Sequence, residues 1–300
     1  MIGSYRLCCL TKNRTNPAYV GAQIGAARLA ERFGCTLVGY APETPDDVAE
    51  QTALLEAALA SGPDAILISP VHTTALDPTL QKVVDVGIPL IFFVSSAPAI
   101  AADSFVTANN ETLATGIADY LFRHLGGSGD VAVVEGLQQS PTAAPRTRGF
   151  LKAAEGFPGI RIVGQAVGDY QFAGGRDAMA GILERHARID GVVAANDVMA
   201  LGALEALREA GRSAPVVGIN AMPDAIGAIR AGTLLATVSY DALSLVGTGV
   251  LAAVRILRGE PVPKLIELPA DIVDAGNCAA WDMPYERRPL PNWEAVTGAV

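Results

Sequence analysis

The sequence predicts an α/β protein of two doubly wound parallel-sheet lobes, and three observations carry that reading. Strand-like and helix-like segments alternate from Tyr5 to about Asp103 and again from near Asn110 to Tyr240, so one layout occurs twice. The strand candidates at 65–68 and 90–94 are apolar without alternation, as strands are when helices cover both faces. A chain of 300 residues, half of them hydrophobic, is comfortable for two domains of about 100–150 residues each.

In chain order, residues 5–11 read as a strand, 17–33 as a helix, 36–40 as a strand and 46–61 as a helix. A strand at 65–69, a helix over 76–86 and a strand at 89–94 continue the first series. In the first helix Val20, Ile24, Ala27 and Phe33 fall on one side and leave Gln23, Arg28, Glu31 and Arg32 to water, while Gly21 and Gly25 suit close helix packing. The second series has a helix over 111–125, the turn Gly126-Gly-Ser-Gly129, a strand at 131–135, a helix at 143–154, a strand at 160–167 and a helix at 174–186. It continues with a strand at 192–195, a helix from Asp197, a strand at 215–219, a helix at 223–231 and a strand at 234–239. A long helix follows over 242–257 and ends at Gly259. The tail, with prolines at 261, 263, 269, 284, 289 and 291, reads as a late strand and an extended strap in which Trp281 and Trp293 pack.

Composition removes several classes of function. A net charge of −9 argues against nucleic acid, which demands a basic surface. No uninterrupted apolar run reaches the roughly 18 residues a membrane span requires. The N-terminus has no basic stretch, apolar core and small-residue cleavage site, so the protein is either cytoplasmic or carries a trimmed export signal. Cys8, Cys9, Cys35 and Cys278 lack zinc spacing; Cys8 or Cys9 could pair with Cys35, but buried free thiols fit better. His72, His124 and His186 are scattered, so no metal is expected. There is no nucleophile elbow, no P-loop lysine and no dinucleotide-binding glycine signature, hence neither a catalytic residue nor a cofactor.

The functional signal sits at the strand ends. The run Val192-Val-Ala-Ala195 reads as a buried strand broken by Asn196 and Asp197, with Asp197 the expected helix N-cap and Asn196 presented where open α/β sheets hold ligands. The same pair also reads as a plain helix cap. Thr11, Lys12, Asn13, Asn16, Tyr19, Ser69, Ser95 and Ser96 fall at the strand ends of the first series. Glu135, Arg146, Tyr170, Phe172, Asn196, Asn220 and Tyr240 fall at those of the second. Aromatic faces and amide edges suit a hydroxylated ring, whose CH faces pack on aromatics while amides, hydroxyls and guanidinium bond its hydroxyls. Tyr170 and Phe172 compete for one stacking role, and Glu135 could be a buried partner of Arg146.

These residues sit in motifs that resemble the type I periplasmic solute-binding proteins of ABC importers, the ribose-binding-protein-like branch, which share a fold with the effector domains of lactose-repressor-type regulators. The motifs are Asn16-Pro-Ala-Tyr19, Gln51-x-x-x-Leu55 ahead of Pro63-Asp-Ala-Ile-Leu-Ile-Ser-Pro70, Gly87-Ile-Pro89, Arg146-Thr-Arg-Gly-Phe150, Asn196-Asp-x-Met-Ala-Leu-Gly202, Val217-Gly-Ile-Asn220 with Pro223-Asp224, and Ile229-Arg-Ala-Gly-Thr-Leu-Leu-Ala-Thr237. The resemblance implies two lobes joined by a three-segment hinge near 108–110, 239–241 and 269–271: an N-terminal lobe of 1–109 plus 241–269 and a C-terminal lobe of 110–240 plus 270–300. It implies hinge closure on one sugar or polyol, with Asn13, Asn16, Tyr19, Ser69, Ser95, Arg146, Tyr170, Asn196, Asn220 and Tyr240 as ligand contacts. It further implies a periplasmic, monomeric receptor that delivers its ligand to an ABC permease at the membrane surface. The alternatives are the ligand-sensing domain of a sugar-responsive regulator, for which no helix-turn-helix precedes the first strand, and a co-receptor of a membrane kinase. The chain departs from the ribose-type pattern at Ser95-Ser96, where an Asp-Arg pair is expected, and at Asn220, where an aspartate is expected. Ribose itself is therefore disfavoured, and a different sugar, a polyol or a ligand with a carboxylate stays open.

Overall fold

A computed structural model describes residues 4–298. They form two compact units: 4–108, 241–269 and 285–298 make the first, and 109–240 with 270–284 make the second. Starting in the first unit, the chain lays down β1 (Arg6–Leu10), α1 (Pro17–Arg32), β2 (Thr36–Tyr40), α2 (Val48–Ala60), β3 (Ala65–Ile68), α3 (Asp77–Asp85), β4 (Leu90–Phe93) and β5 (Ser104–Thr107). The second unit follows with α4 (Asn110–His124), β6 (Ser128–Glu135), α5 (Ala143–Glu155), β7 (Gly159–Val167), α6 (Phe172–Arg185) and β8 (Gly191–Ala194). It goes on through α7 (Asp197–Glu209), β9 (Val216–Val217), α8 (Pro223–Arg230) and β10 (Ala236–Val238). The chain then returns with α9 (Ala242–Leu257) and β11 (Leu265–Glu267), gives β12 (Ile272–Asp274) and a 3-10 turn at Cys278–Trp281 to the second unit, and ends in the first with α10 (Trp293–Thr297).

Each unit carries one six-stranded sheet, ordered β11-β5-β4-β3-β1-β2 in the first and β12-β10-β9-β8-β6-β7 in the second. The two orders are the same when read strand for strand. Pairing is parallel except at one place: β12 runs antiparallel to β10, whereas β11 runs parallel to β5. The strand order reverses at β1/β3 and β6/β8, and such switch points open a crevice at the carboxyl ends of the strands. The central strands β3, β4 and β8 are buried throughout, as their unbroken apolar runs require.

The helices begin where local chemistry makes them begin. Asn16 bonds the Ala18 N–H and Pro17 opens α1, Asp47 caps α2 through Glu50 N, and Asn109 and Asp241 cap α4 and α9. The last two caps stand at the points where the chain passes from one unit to the other. Helix α9 is buried along nearly its whole length, packing on α1 and on β3, β4 and β5. A Cβ on Gly25 would lie 2.8 Å from Leu243 of α9, so the glycine does allow that close approach.

Four expectations need correcting. The inward face of α1 is Ala22, Ala26, Leu29 and Ala30 with the glycines, whereas Val20 and Ala27 are exposed, because small residues let α1 lie close on α9. The tail from residue 285 packs on the first unit, not the second, and the chain therefore passes between units four times rather than three. The reason is a set of contacts on α1 and α9: a Cβ at Gly21 would fall 2.5 Å from the Tyr285 ring, Arg28 donates to the carbonyls of Tyr285 and Arg288, and Arg288 bonds Asp241 at 3.4 Å. Asn196, not Asp197, is the N-cap of α7; its Oδ1 accepts from Met199 N at 2.9 Å. The short strands β5 and β12 were not anticipated. All four cysteines are free and buried. Among the described residues no helix is long and apolar enough to cross a membrane.

Candidate functional site

In the first unit the candidate residues gather on the loops after β1, β3 and β4. Asn13 is held at both ends of its amide, accepting from Asn16 N at 2.9 Å and donating to Asp46 Oδ2 at 2.9 Å. Asp46 adopts a left-handed backbone (φ 58°) and donates its N–H to the Lys12 carbonyl, which brings its carboxylate beside the buried Lys12. Burial pushes the Asp46 carboxyl up, and the Lys12 charge and Asn13 amide pull it partly back. Asn16 spends its Oδ1 on the α1 cap, so its amide nitrogen is the end left for other partners. Tyr19 lies one turn on and is buried.

Gln51, fully buried on α2, fastens these loops together. Its Nε2 donates to Thr11 O at 3.1 Å and to Ser69 O at 3.0 Å, while its Oε1 accepts from Val71 N at 2.8 Å. The chain signals this role faintly: Gln51 continues the buried stripe of Leu55 and Ala58 at helical spacing, where an apolar residue is the norm. Above β3 and β4, the hydroxyls of Ser69 and Ser95 are buried and meet no hydrogen-bond partner among the described residues. Ser95 is set by Val94, a β-branched residue in the left-handed region (φ 65°), pinned by its N–H to Val106 O and by Thr107 Oγ1 to its carbonyl. Such a conformation costs on the order of 1–3 kcal/mol and persists only where the surroundings enforce it.

In the second unit the candidates surround Arg146, on the first turn of α5 and 3 % exposed. Its Nε donates to Asn110 Oδ1 at 2.9 Å and its Nη1 to Ala195 O at 2.5 Å. The guanidinium carbon stands 4.9 Å from the Tyr240 ring centre and 5.9 Å from that of Tyr170. Of its five N–H donors, two are thus spent on neutral oxygens, and it forms no ion pair among the described residues. Tyr170 follows Asp169, both left-handed, and its hydroxyl bonds Thr142 Oγ1 at 2.8 Å. Its ring occupies the space a side chain at Gly136 would need. Phe172, its rival for the stacking role, is 45 % exposed and faces another part of the surface.

Asn196 donates its amide to Tyr170 O at 3.3 Å, and Asn220, itself left-handed at φ 136°, donates to Tyr240 O at 3.2 Å. The structure therefore brings Arg146, Tyr170, Asn196, Asn220 and Tyr240 into one bonded cluster. Glu135 is half-buried and does not pair with Arg146; Arg148 is exposed and bonds Glu111 instead. Asp197 works below the cluster, accepting from Thr237 Oγ1 at 2.6 Å and Met222 N at 3.0 Å, and so ties the ends of β8, β9 and β10. Gly218 is required there, because a Cβ would lie 2.3 Å from Asp197 Oδ1.

Residues 8–261 match the family described as periplasmic binding protein domain. The chain belongs to that family. Its two α/β units with parallel-sheet cores are those of a type I periplasmic binding protein. Among curated relatives, a Rhizobium meliloti protein named for rhizopine binding is 32 % identical over 261 residues, covering 83 % of this chain and 84 % of the relative. The D-ribose/D-allose-binding protein of Pseudomonas aeruginosa is 29 % identical and covers 90 % and 89 %. An ABC transporter solute-binding protein from Bacillus halodurans C-125, solved with bound myo-inositol, superposes with a TM-score of 0.86 at 27 % identity, covering 94 % and 98 %. Type I periplasmic binding proteins of this kind are solute binders rather than enzymes.

Proposed function

We propose that this protein is the periplasmic solute-binding component of an ABC importer, which takes up one sugar or polyol and delivers it to the permease. Asn13, Asn16, Tyr19, Ser69 and Ser95 of the first unit and Arg146, Tyr170, Asn196, Asn220 and Tyr240 of the second are its ligand contacts in this reading. Two of the three relatives support the ligand class, one being named for ribose and allose and one solved with myo-inositol, while the third is named for rhizopine.

The observation that carries the reading is the pair of buried, partnerless hydroxyls of Ser69 and Ser95. A buried polar atom left unpaired costs about 1–3 kcal/mol, and an enforced left-handed Val94 adds strain to hold one of them in place. A hydroxylated ligand relieves that cost, and an apolar one does not. The test is a thermal-shift screen of pentoses, hexoses, polyols and their acids, with amino acids and nucleosides as contrast. A polyhydroxylated ligand at about 100-fold its Kd adds about 2.7 kcal/mol of stability. A shift produced by an amino acid or nucleoside alone would overturn the reading. Purification from cells with a membrane permease, rather than with a sensor kinase, checks the delivery step.

A further inference from the structure

The ligand contacts themselves include one charged side chain, Arg146. In the first unit, the buried Lys12 acts on the carboxyl of Asp46 and partly offsets the burial that pushes it up. In the second unit, Arg146 is almost wholly buried, and its partners among the described residues are two neutral oxygens and two tyrosine rings. The buried carboxylate of Asp197 keeps its charge below the cluster, with its oxygens accepting from Thr237 and Met222. Every other residue assigned to the ligand is an asparagine, a serine or a tyrosine. The set of contacts thus carries one excess positive charge, on a guanidinium that still has three N–H donors to offer.

Resting on the proposed function, we propose that the ligand is a polyhydroxylated carboxylic acid, an aldonic or uronic acid, whose carboxylate is held by Arg146. The planar fork of a guanidinium matches a carboxylate, and charge-assisted bonds of this kind are roughly twice as strong as neutral ones. Burial sharpens the preference, because a buried charge is stabilised far more by an opposite charge than by a hydroxyl. A single excess charge fits one carboxylate. A phosphate monoester, with close to two negative charges, would leave one uncompensated. The tyrosine faces and amides then serve the CH and hydroxyl groups of the same molecule.

The test is titration calorimetry on the full chain with pairs that differ only in the carboxylate: D-galactose and D-galacturonate, D-glucitol and D-gluconate, D-ribose and D-ribonate, with D-galactose 6-phosphate as the phosphate arm. At least one acid is expected to bind ten times or more tighter than its neutral partner. Arg146→Gln should shrink that ratio below about three. Arg146→Lys, which keeps the charge but loses the planar fork, should retain an acid preference above that of Arg146→Gln and below that of the parent, and it serves if Arg146→Gln fails to fold. Neutral partners that bind as tightly as their acids, or tighter, overturn the inference and leave the proposed function standing. A phosphate ester that binds tightest overturns the carboxylate in favour of a phosphate. Binding by no member of any pair overturns both.

Discussion

In the first unit the loops that follow β1 and β3 are joined by a neutral amide: Gln51 reaches Thr11, Ser69 and Val71 from α2. In the second unit the strand ends that are tied together are joined by charged groups. Arg146 bridges Asn110 and the residue after β8, and Asp197 ties β8 to β9 and β10. The strand order beneath is the same in both. The comparison separates two things that are easily confused in a binding protein. The sheet decides where side chains can stand, and the bridging group decides how much each stand costs to remove. A buried amide leaves neutral groups unpaired when it is lost; a buried charged group leaves stronger bonds broken.

That difference can be broken or sharpened by substitution. The largest effect is expected for Asp197→Ala, which strips two bonds to a buried carboxylate and should destabilise the second unit by about 3–5 kcal/mol. Calorimetry should resolve an early transition for that unit, and an unchanged melting profile would show that the carboxylate is not what ties its strands. Gln51→Leu keeps volume but orphans two carbonyls and one N–H, so urea unfolding should report a loss of about 2–3 kcal/mol, assigned to the first unit. Ser69→Ala and Ser95→Ala go the other way. Each removes a partnerless hydroxyl, so the ligand-free protein should gain about 1 kcal/mol while ligand affinity falls. A loss of ligand-free stability would mean that these hydroxyls have partners after all.

The smallest expected effect is a pH dependence. The Asp46 carboxyl lies above the ordinary 3.8 because burial disfavours its charge. The folded protein therefore holds that proton more tightly than the unfolded chain does. Its contribution favours folding in acid and is lost as pH rises from 3.8 through the raised value. Asp46→Asn does not titrate there, so the stability of the variant relative to the parent should increase with pH across that window and then level. A flat difference would place the Asp46 carboxyl in water.

Much of this frame is legible in the sequence, and the reasons for the exceptions are physical. Short apolar runs without alternation such as 65–68 and 191–194 read as covered strands, and the longer capped stretches between them as their crossovers. Strands β5 and β12 escape because four and three residues, with serine, threonine and aspartate among them, carry no period to read. At Asn196-Asp197 the cap preferences of the two residues are nearly equal. Only the third-dimension partners of Asp197, Thr237 and Met222, settle which side chain turns back onto the helix. The proline-rich tail has no local signal for its destination, which depends on a notch at Gly21 and on the half-buried Arg28. For the candidate site, the strand-end residues can be listed from the chain alone. What cannot be read there is that Asn13, Asn196 and Asn220 each already spend one end of the amide on the protein.

The path of the tail has a practical outcome for sensor design. Since β1 and α10 belong to the same unit, fluorophores attached at the two ends of the described chain would ride on one body and give a constant energy-transfer ratio whatever the ligand does. A second dye belongs within the second unit, and Gly227, exposed on α8 where a side chain would meet open space on an ordinary helical backbone, is the place to put it.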